Sequence, residues 1–334
     1  MNIPLFRALR PGLFLAALVA AAGLLPAGCA SWQRRYAEEY YTIGMAYFEM
    51  GKFEEAEKWL NRARLADRTQ TASEYNLGRI AFETGRYDEA AAIYDRILSK
   101  DPKNIMALKA AAYTRIKTGD LRAADSYYRR VLALVPESAD DGYNHALVLY
   151  AMGRYDEAEQ VLQRHPFSLP ENADVQLLLA RIQRAMDKVE AVDSYAAWLA
   201  ANQDPRVKYE YAEALEKAEL YARALEQYRE LMNEVLPEGD LKKQEVRFAL
   251  ARVLLVADAE NPEGMTELKA AVSEGFAGTE AGLKALQTLA GDARIAGDAK
   301  TAIAAVIDGI PAPQEAVPDP SEADVEGGAE GAQD

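Results

Sequence analysis

Few side chains in this sequence are suited to covalent or acid–base chemistry, and their placement says which chemistry each could do. Cys29 is the single cysteine, and it directly follows a short apolar run. A lone thiol there is a nucleophile open to acylation; it has no disulfide partner and no companion thiolates for zinc. The two histidines, His145 and His165, form no His-x-x-x-His pair, and the chain has no phosphate-loop glycine pattern and no Gly-x-Ser-x-Gly elbow. Both read as packed or cap residues, with ligand duty the lesser alternative. Adjacent acids such as Glu54-Glu55 and Asp88-Glu89 fall in the first turns of helices. A carboxylate there meets the positive end of the helix dipole, which is a structural role. What recurs instead is tyrosine: Tyr41, Tyr75, Tyr143 and Tyr209 stand at one repeated position. Rings with a polar tip favour binding over catalysis.

The composition agrees. The chain has 334 residues, half of them hydrophobic, with 38 Lys and Arg against 53 Asp and Glu, a net charge of −15. Such apolar content describes a folding chain. The acidic excess excludes nucleic acid as a main partner, because phosphate binding is driven by Lys and Arg. Neither a metal site nor a cofactor motif is legible, and the chain reads as a non-enzyme.

Residues 1–28 carry Arg7 and Arg10, no acid, and an uncharged run from Leu13 to Leu25 that ends in Pro26, Ala27 and Gly28. A basic start, a short apolar run and small residues before a cut make a secretory signal peptide. The run is short for a membrane span, which needs about 20 residues. An uncharged stretch from Pro11 to Gln33 leaves a signal-anchor helix as the alternative. Leu25-Pro26-Ala27-Gly28-Cys29 resembles the lipobox of a bacterial lipoprotein, with Pro26 standing where that family usually has Leu. The resemblance implies cleavage before Cys29, a lipid on its thiol, and outer-membrane retention, since Ala30 follows in place of Asp. Stable anchoring takes two acyl chains or more. Cleavage would leave 306 residues with a charge of −17. Residues 29–36 are expected as a lipidated tether, spanning roughly 30 Å at full extension, with Trp32 at the interface and Arg34 and Arg35 either near head groups or at a solvated helix start.

Beyond the leader the chain repeats. Gly51, Gly85, Gly119 and Gly153 are 34 residues apart, and Gly85-Arg86-Tyr87-Asp88-Glu89-Ala90 recurs as Gly153-Arg154-Tyr155-Asp156-Glu157-Ala158. Tyr40, Ile43, Gly44 and Tyr47 fall on one helix face. Phe53, Ala56, Leu60 and Ala63 line a second helix after the turn at Gly51. Gly44, Gly78, Ala112 and Ala146 keep one position small, where paired helices approach. A fixed period of this length is a repeat-architecture signature. It resembles the tetratricopeptide repeat family, which implies an all-α solenoid of helical hairpins in a right-handed superhelix, about six to seven repeats. The predicted repeats are 37–70, 71–104, 105–138, 139–172, a degenerate 173–204 with Asp187 at the turn, and 205–238 with Glu219 there. Residues 239–310 are expected as an irregular helical capping region. Residues 311–334, with four Pro, seven acids and no base, are expected to be disordered, a solubilising tail or an interaction tail.

One face of each first helix carries residues at i, i+4 and i+7: Tyr41, Met45, Phe48; Tyr75, Arg79, Phe82; Lys109, Tyr113, Ile116; Tyr143, Leu147, Tyr150. Asn76 and Asn144 follow two of the tyrosines and could hydrogen-bond a ligand backbone. The resemblance, not the periodicity, implies that this face, with Tyr209, is a concave partner-binding groove; repeat-average packing is the alternative. Lys109 and Asn144 match two positions of the family's carboxylate clamp, but Tyr113, Asp174 and Leu178 depart from it. The resemblance places His145 where the repeat usually has Leu and His165 where it has Ala. By resemblance the chain is a scaffold that faces the periplasm and assembles or regulates an envelope complex: outer-membrane protein assembly, pilus or secretin assembly, or cell-wall enzyme regulation. Its partners are then another envelope protein or peptide segment and, through the lipid, the membrane. The alternative is a transport-associated lipoprotein that binds a small ligand or docks a solute-binding protein.

Overall fold

The structure, a computed structural model, describes residues 25–164, 172–234, 236, 241–295 and 297–310. Residues 1–24, His165 and the tail 311–334 lie outside the described residues, as does the Cys29 side chain. Among the described residues every regular element is helical, and the fold is an all-α array of helical hairpins. Two compact units divide it, residues 1–175 and 176–334.

In the first unit the hairpins are α1 (Leu25–Glu49) with α2 (Phe53–Ala66), α3 (Thr71–Glu83) with α4 (Tyr87–Lys100), α5 (Ile105–Lys117) with α6 (Leu121–Leu134), and α7 (Ala139–Ala151) with α8 (Tyr155–Arg164). The second unit holds most of α9 (Ala173–Ala185), then α10 (Glu190–Leu199), α11 (Pro205–Lys217), α12 (Tyr221–Asn233), α13 (Lys243–Ala257) and α14 (Pro262–Ser273). A 3₁₀ turn (Phe276–Gly278), α15 (Glu280–Gly291) and α16 (Asp298–Asp308) complete it.

The 34-residue period is a backbone device before it is a packing device. At the first hairpin boundary of the second repeat, Gly85 donates to Phe82 O and Arg86 to Ala81 O, at 3.0 and 2.8 Å. This is a Schellman closure, which needs a left-handed residue after the helix; Gly85 supplies it at φ 77°. The fifth and sixth hairpins make the same bonds without glycine. Asp187 and Glu219 sit there at φ 54° and 60°, with Lys188 donating to Gln183 O and Leu220 to Leu215 O, both at 2.9 Å.

Between the paired helices the small position sets the spacing. A Cβ on Gly78 would lie 2.7 Å from the Tyr94 ring, so α3 rests its backbone on that ring. Ile80 and Ile97 are fully buried beside it, with Leu60 and Leu108 in the same core; burying each such side chain contributes about 2 kcal/mol. Successive hairpins then dock through one register position. Leu77 (8% exposed), Ala111 (1%) and His145 (4%) are covered there, whereas Ile43 in the first hairpin is 37% exposed.

The segment expected as an extended tether is different. Residues 29–36 belong to α1, whose backbone is helical from Leu25. At about 1.5 Å per residue the distance from Cys29 to Ala37 is about 12 Å, less than half the extended reach.

Candidate functional site

The first-helix face is most developed where α1, α3 and α5 follow one another. There, a cavity of about 400 Å³ is lined by Tyr41, Met45, Tyr75 and Arg79, four residues of the predicted stripe, and by Asn76 beside them. Thr71 and Ala72 border it at the start of α3, Asn104 and Met106 at the start of α5, and Ile97 reaches it from α4. Pattern reading along the first helices did not mark these five. Ile97 belongs to the apolar stripe of a second helix, and Met106 follows the Asn104 cap, whose Oδ1 accepts from the Ala107 amide at 3.0 Å. An apolar residue placed on an exposed first turn was the available signal; Met106 is 59% exposed.

Polar groups in the cavity are organised by Asn76, which is buried. Its amide donates to Tyr41 Oη at 3.1 Å and to Ala72 O at 3.0 Å, and its carbonyl accepts from Arg79 Nη1 at 3.2 Å. The Asn76 side chain is thus consumed inside the fold, which corrects its reading as a ligand contact. What it does is aim Tyr41 and Arg79. Tyr75 packs 5.7 Å from the Tyr94 ring, and burial pushes its hydroxyl up against the pull of the Arg79 charge.

An aromatic run continues the face. The Arg79 guanidinium lies 4.5 Å over the Phe48 ring, and Phe82 stands 5.1 Å from Tyr113, itself half-exposed. Phe48, Phe82 and Tyr113 therefore extend the surface that Tyr41 and Met45 begin.

Further along the same register the face is closed on itself. Lys109 Nζ lies 2.6 Å from the buried carboxylate of Asp141, so its charge is already spent; as a clamp cation it is unsuited. Asn144 and Tyr143 are half-buried on α7, and Tyr150 packs 5.6 Å from the Tyr155 ring. Leu147 and Ile116 remain on their predicted helices, exposed and half-buried. Tyr209, in the second unit, packs 5.6 Å from Tyr228, and burial pushes its hydroxyl well up.

His145 occupies the docking register and not a reaction site. Its Nε2 is 2.7 Å from Asp125 Oδ1 and its ring stacks on Tyr128. Asp125 also accepts from Arg129 Nε at 2.9 Å and Arg154 Nη1 at 2.6 Å. Burial opposes ionisation of Asp125, yet hydrogen bonds from His145, Arg129 and Arg154 outweigh it and hold the carboxyl at about 2. The ionised carboxylate accepts, so Nε2 carries the proton. Burial keeps the imidazole below its ordinary value, against the pull of Asp125, and the ring is neutral at pH 7. Among the described residues no group of three or more His, Cys, Asp or Glu could hold a metal ion. No helix among them is long and apolar enough to cross a membrane.

With the geometry set out, comparison with known proteins decides the fold. Residues 41–105 and 115–182 match two family models, each described as tetratricopeptide repeat. These segments are tetratricopeptide repeats. A tetratricopeptide repeat protein from Parabacteroides merdae ATCC 43184 is similar over 76% of this chain and 98% of its own, at 21% identity and a TM-score of 0.53. MamA residues 41-end from Desulfovibrio magneticus RS-1 gives 20% identity, coverage of 49% and 94%, and a TM-score of 0.46. YrrB, described as a TPR protein with an unusual peptide-binding site, gives 19%, 52% and 91%, and 0.46. No curated protein matches the sequence. The tetratricopeptide segments contain the whole cavity but Met106, and the matched families are repeat families, not enzymes.

Proposed function

We propose that this chain is a non-catalytic scaffold that captures a segment of another envelope protein on the first-helix face of its N-terminal tetratricopeptide repeats. One observation carries the reading: three successive hairpins turn Tyr41, Met45, Tyr75, Arg79 and Met106 into a common cavity, continued by Phe48, Phe82 and Tyr113. Recessed, largely apolar sites with a few convergent polar groups are where ligands bind, and amphipathic rings give contact area at small entropy cost. The leader and Cys29 complete the proposal: export, cleavage before Cys29, and a lipid that holds the chain at the outer membrane facing the periplasm. On the short helical stretch from Cys29 to Ala37, the first repeat lies close to that membrane.

Photo-crosslinking in cells from position 75, compared with an outward site such as Glu54, tests the groove. Capture of one partner from 75 that Met45→Lys abolishes is the expected result; the same set of neighbours from both sites refutes it. Lipid anchoring has its own test. Cys29→Ala must block processing and release the protein from membranes; unchanged membrane attachment refutes the lipobox reading.

A further inference from the structure

Most arginines packed between the hairpins are held by the chain's own carboxylates. Arg86 pairs with Glu57 and Glu89, Arg115 with Asp95, and Arg154 with Asp125 and Glu157. Arg79 is not. It stacks over Phe48 and gives one hydrogen bond to Asn76, and no carboxylate among the described residues lies within ion-pair distance of it. In a chain where acids outnumber bases by 53 to 38, that is an uncompensated cation in an apolar cavity. A guanidinium has five N–H donors in a fixed fork, matched to a carboxylate.

Tyr41 supplies a second donor. Its oxygen already accepts from Asn76, and its own O–H meets no acceptor among the described residues. Asn76, buried and with both amide hydrogens and its carbonyl engaged, orients the pair. Met45 and Met106 supply the apolar wall beside them.

Resting on the groove reading above, we infer that this cavity recognises an acidic side chain, Glu or Asp, within a partner's polypeptide, flanked by an aliphatic or aromatic residue that packs on Met45 and Met106. The acid is internal to the segment and not its terminus, because the apolar surface runs on past Arg79 to Phe48, Phe82 and Tyr113. A bound chain has surface on both sides of its carboxylate.

The test uses the full chain in detergent and an array of short peptides, acetylated and amidated, with Glu or Gln at the centre and Leu, Phe, Ala or Ser around it. The tightest Glu peptide is then titrated by fluorescence polarisation. Replacing its Glu by Gln is expected to weaken binding about tenfold or more. Arg79→Gln is expected to weaken the Glu peptide several-fold more than the Gln peptide, leaving only the smaller preference that the Tyr41 donor supplies. Equal affinities for Glu and Gln peptides overturn the carboxylate inference and leave the groove standing. Preference for matched peptides with a free C-terminal carboxylate overturns the internal placement. If no peptide binds a protein whose circular dichroism shows it folded, the inference falls together with the groove reading.

Discussion

The first two hairpins and the next two repeat one pattern, yet the cations on their first-helix faces, Arg79 and Lys109, end differently. Around α1 and α3, Arg79 has no acid, and Tyr41 offers a proton that nothing among the described residues takes up. Around α5 to α8, Lys109 closes on Asp141, and Asp125 gathers His145, Arg129 and Arg154. The first-helix face is thus open to a partner around α1 and α3 and closed by an ion pair where Lys109 of α5 meets Asp141 of α7. At Arg79 no neighbouring hairpin brings a carboxylate among the described residues, whereas α7 brings Asp141 to Lys109. The contrast teaches that a shared repeat face need not be shared function.

The sharpest way to break this contrast is to remove the hub of the closed region. Asp125→Ala leaves the buried imidazole of His145 without its acceptor and leaves Arg129 and Arg154 with Glu157 as their remaining carboxylate. Stranding a buried hydrogen-bond donor and giving up two charge-assisted bonds costs about 2 kcal/mol, while peptide capture by the cavity is expected to persist in the folded fraction. Urea denaturation measures the loss. A cost below about 1 kcal/mol would mean that the cluster is not what closes these hairpins.

Acid titration probes the same hub without mutation. The folded Asp125 carboxyl sits at about 2, below its ordinary 3.8, so its stabilisation is present above pH 3.8 and is lost as pH falls towards 2. One such carboxylate is worth about 2 kcal/mol by linkage. His145 acts in the same direction: its folded value is held below 6.5, so below pH 6.5 the unfolded chain takes up a proton that the folded chain resists. Stability is therefore expected to fall in two stages, from pH 6.5 downward and again below pH 4. His145→Asn should remove the first stage and shrink the second, because the His145 hydrogen bond is one of those that hold the Asp125 carboxyl down. A stability profile flat between pH 6.5 and 3 would contradict the buried pairing.

A smaller effect is expected at Lys109. Lys109→Ala strands the buried Asp141 carboxylate with the Ser138 hydroxyl as its remaining hydrogen-bond partner, a loss of about 1.5 kcal/mol. Thermal melting should show it, and binding to the cavity should not change. Reduced binding instead would return Lys109 to the recognition surface and erase the distinction between the two regions.

The sequence disclosed the period because a Schellman turn in the left-handed region favours glycine, and Gly51, Gly85, Gly119 and Gly153 advertise it. Asp187 and Glu219 adopt the same turn with the same bonds, but nothing about an acid announces a positive φ; the hairpin packing imposes it. The first-helix face was legible by spacing, and four of its residues, Tyr41, Met45, Tyr75 and Arg79, do meet in the cavity. The roles of Asn76 and Lys109 were not legible. Each is decided by a partner 35 or 32 residues away, and that meeting depends on how one hairpin is rotated on the next. Ile97 and Met106 escaped because they come from a second-helix stripe and from a helix start.

The smallest predicted change in stability gives the clearest reading of the open region. Tyr41→Phe keeps the ring against Met45 and removes the hydroxyl that accepts from Asn76 and donates into the cavity. Asn76 keeps Ala72 O and Arg79, so folding should lose only about 1 kcal/mol, the ordinary worth of one hydrogen bond. Binding of a Glu-centred peptide should weaken several-fold more than binding of its Gln counterpart, because the lost donor served the carboxylate. Asn76→Ala separates orientation from contact. It leaves both donors in place but untethered, so if Asn76 aims Tyr41 and Arg79, the Glu-over-Gln preference shrinks although no contacting group has been removed. If Tyr41→Phe instead weakens both peptides equally, the hydroxyl serves packing alone. The open region would then differ from the closed one only in lacking an acid, and not in having been shaped to receive one.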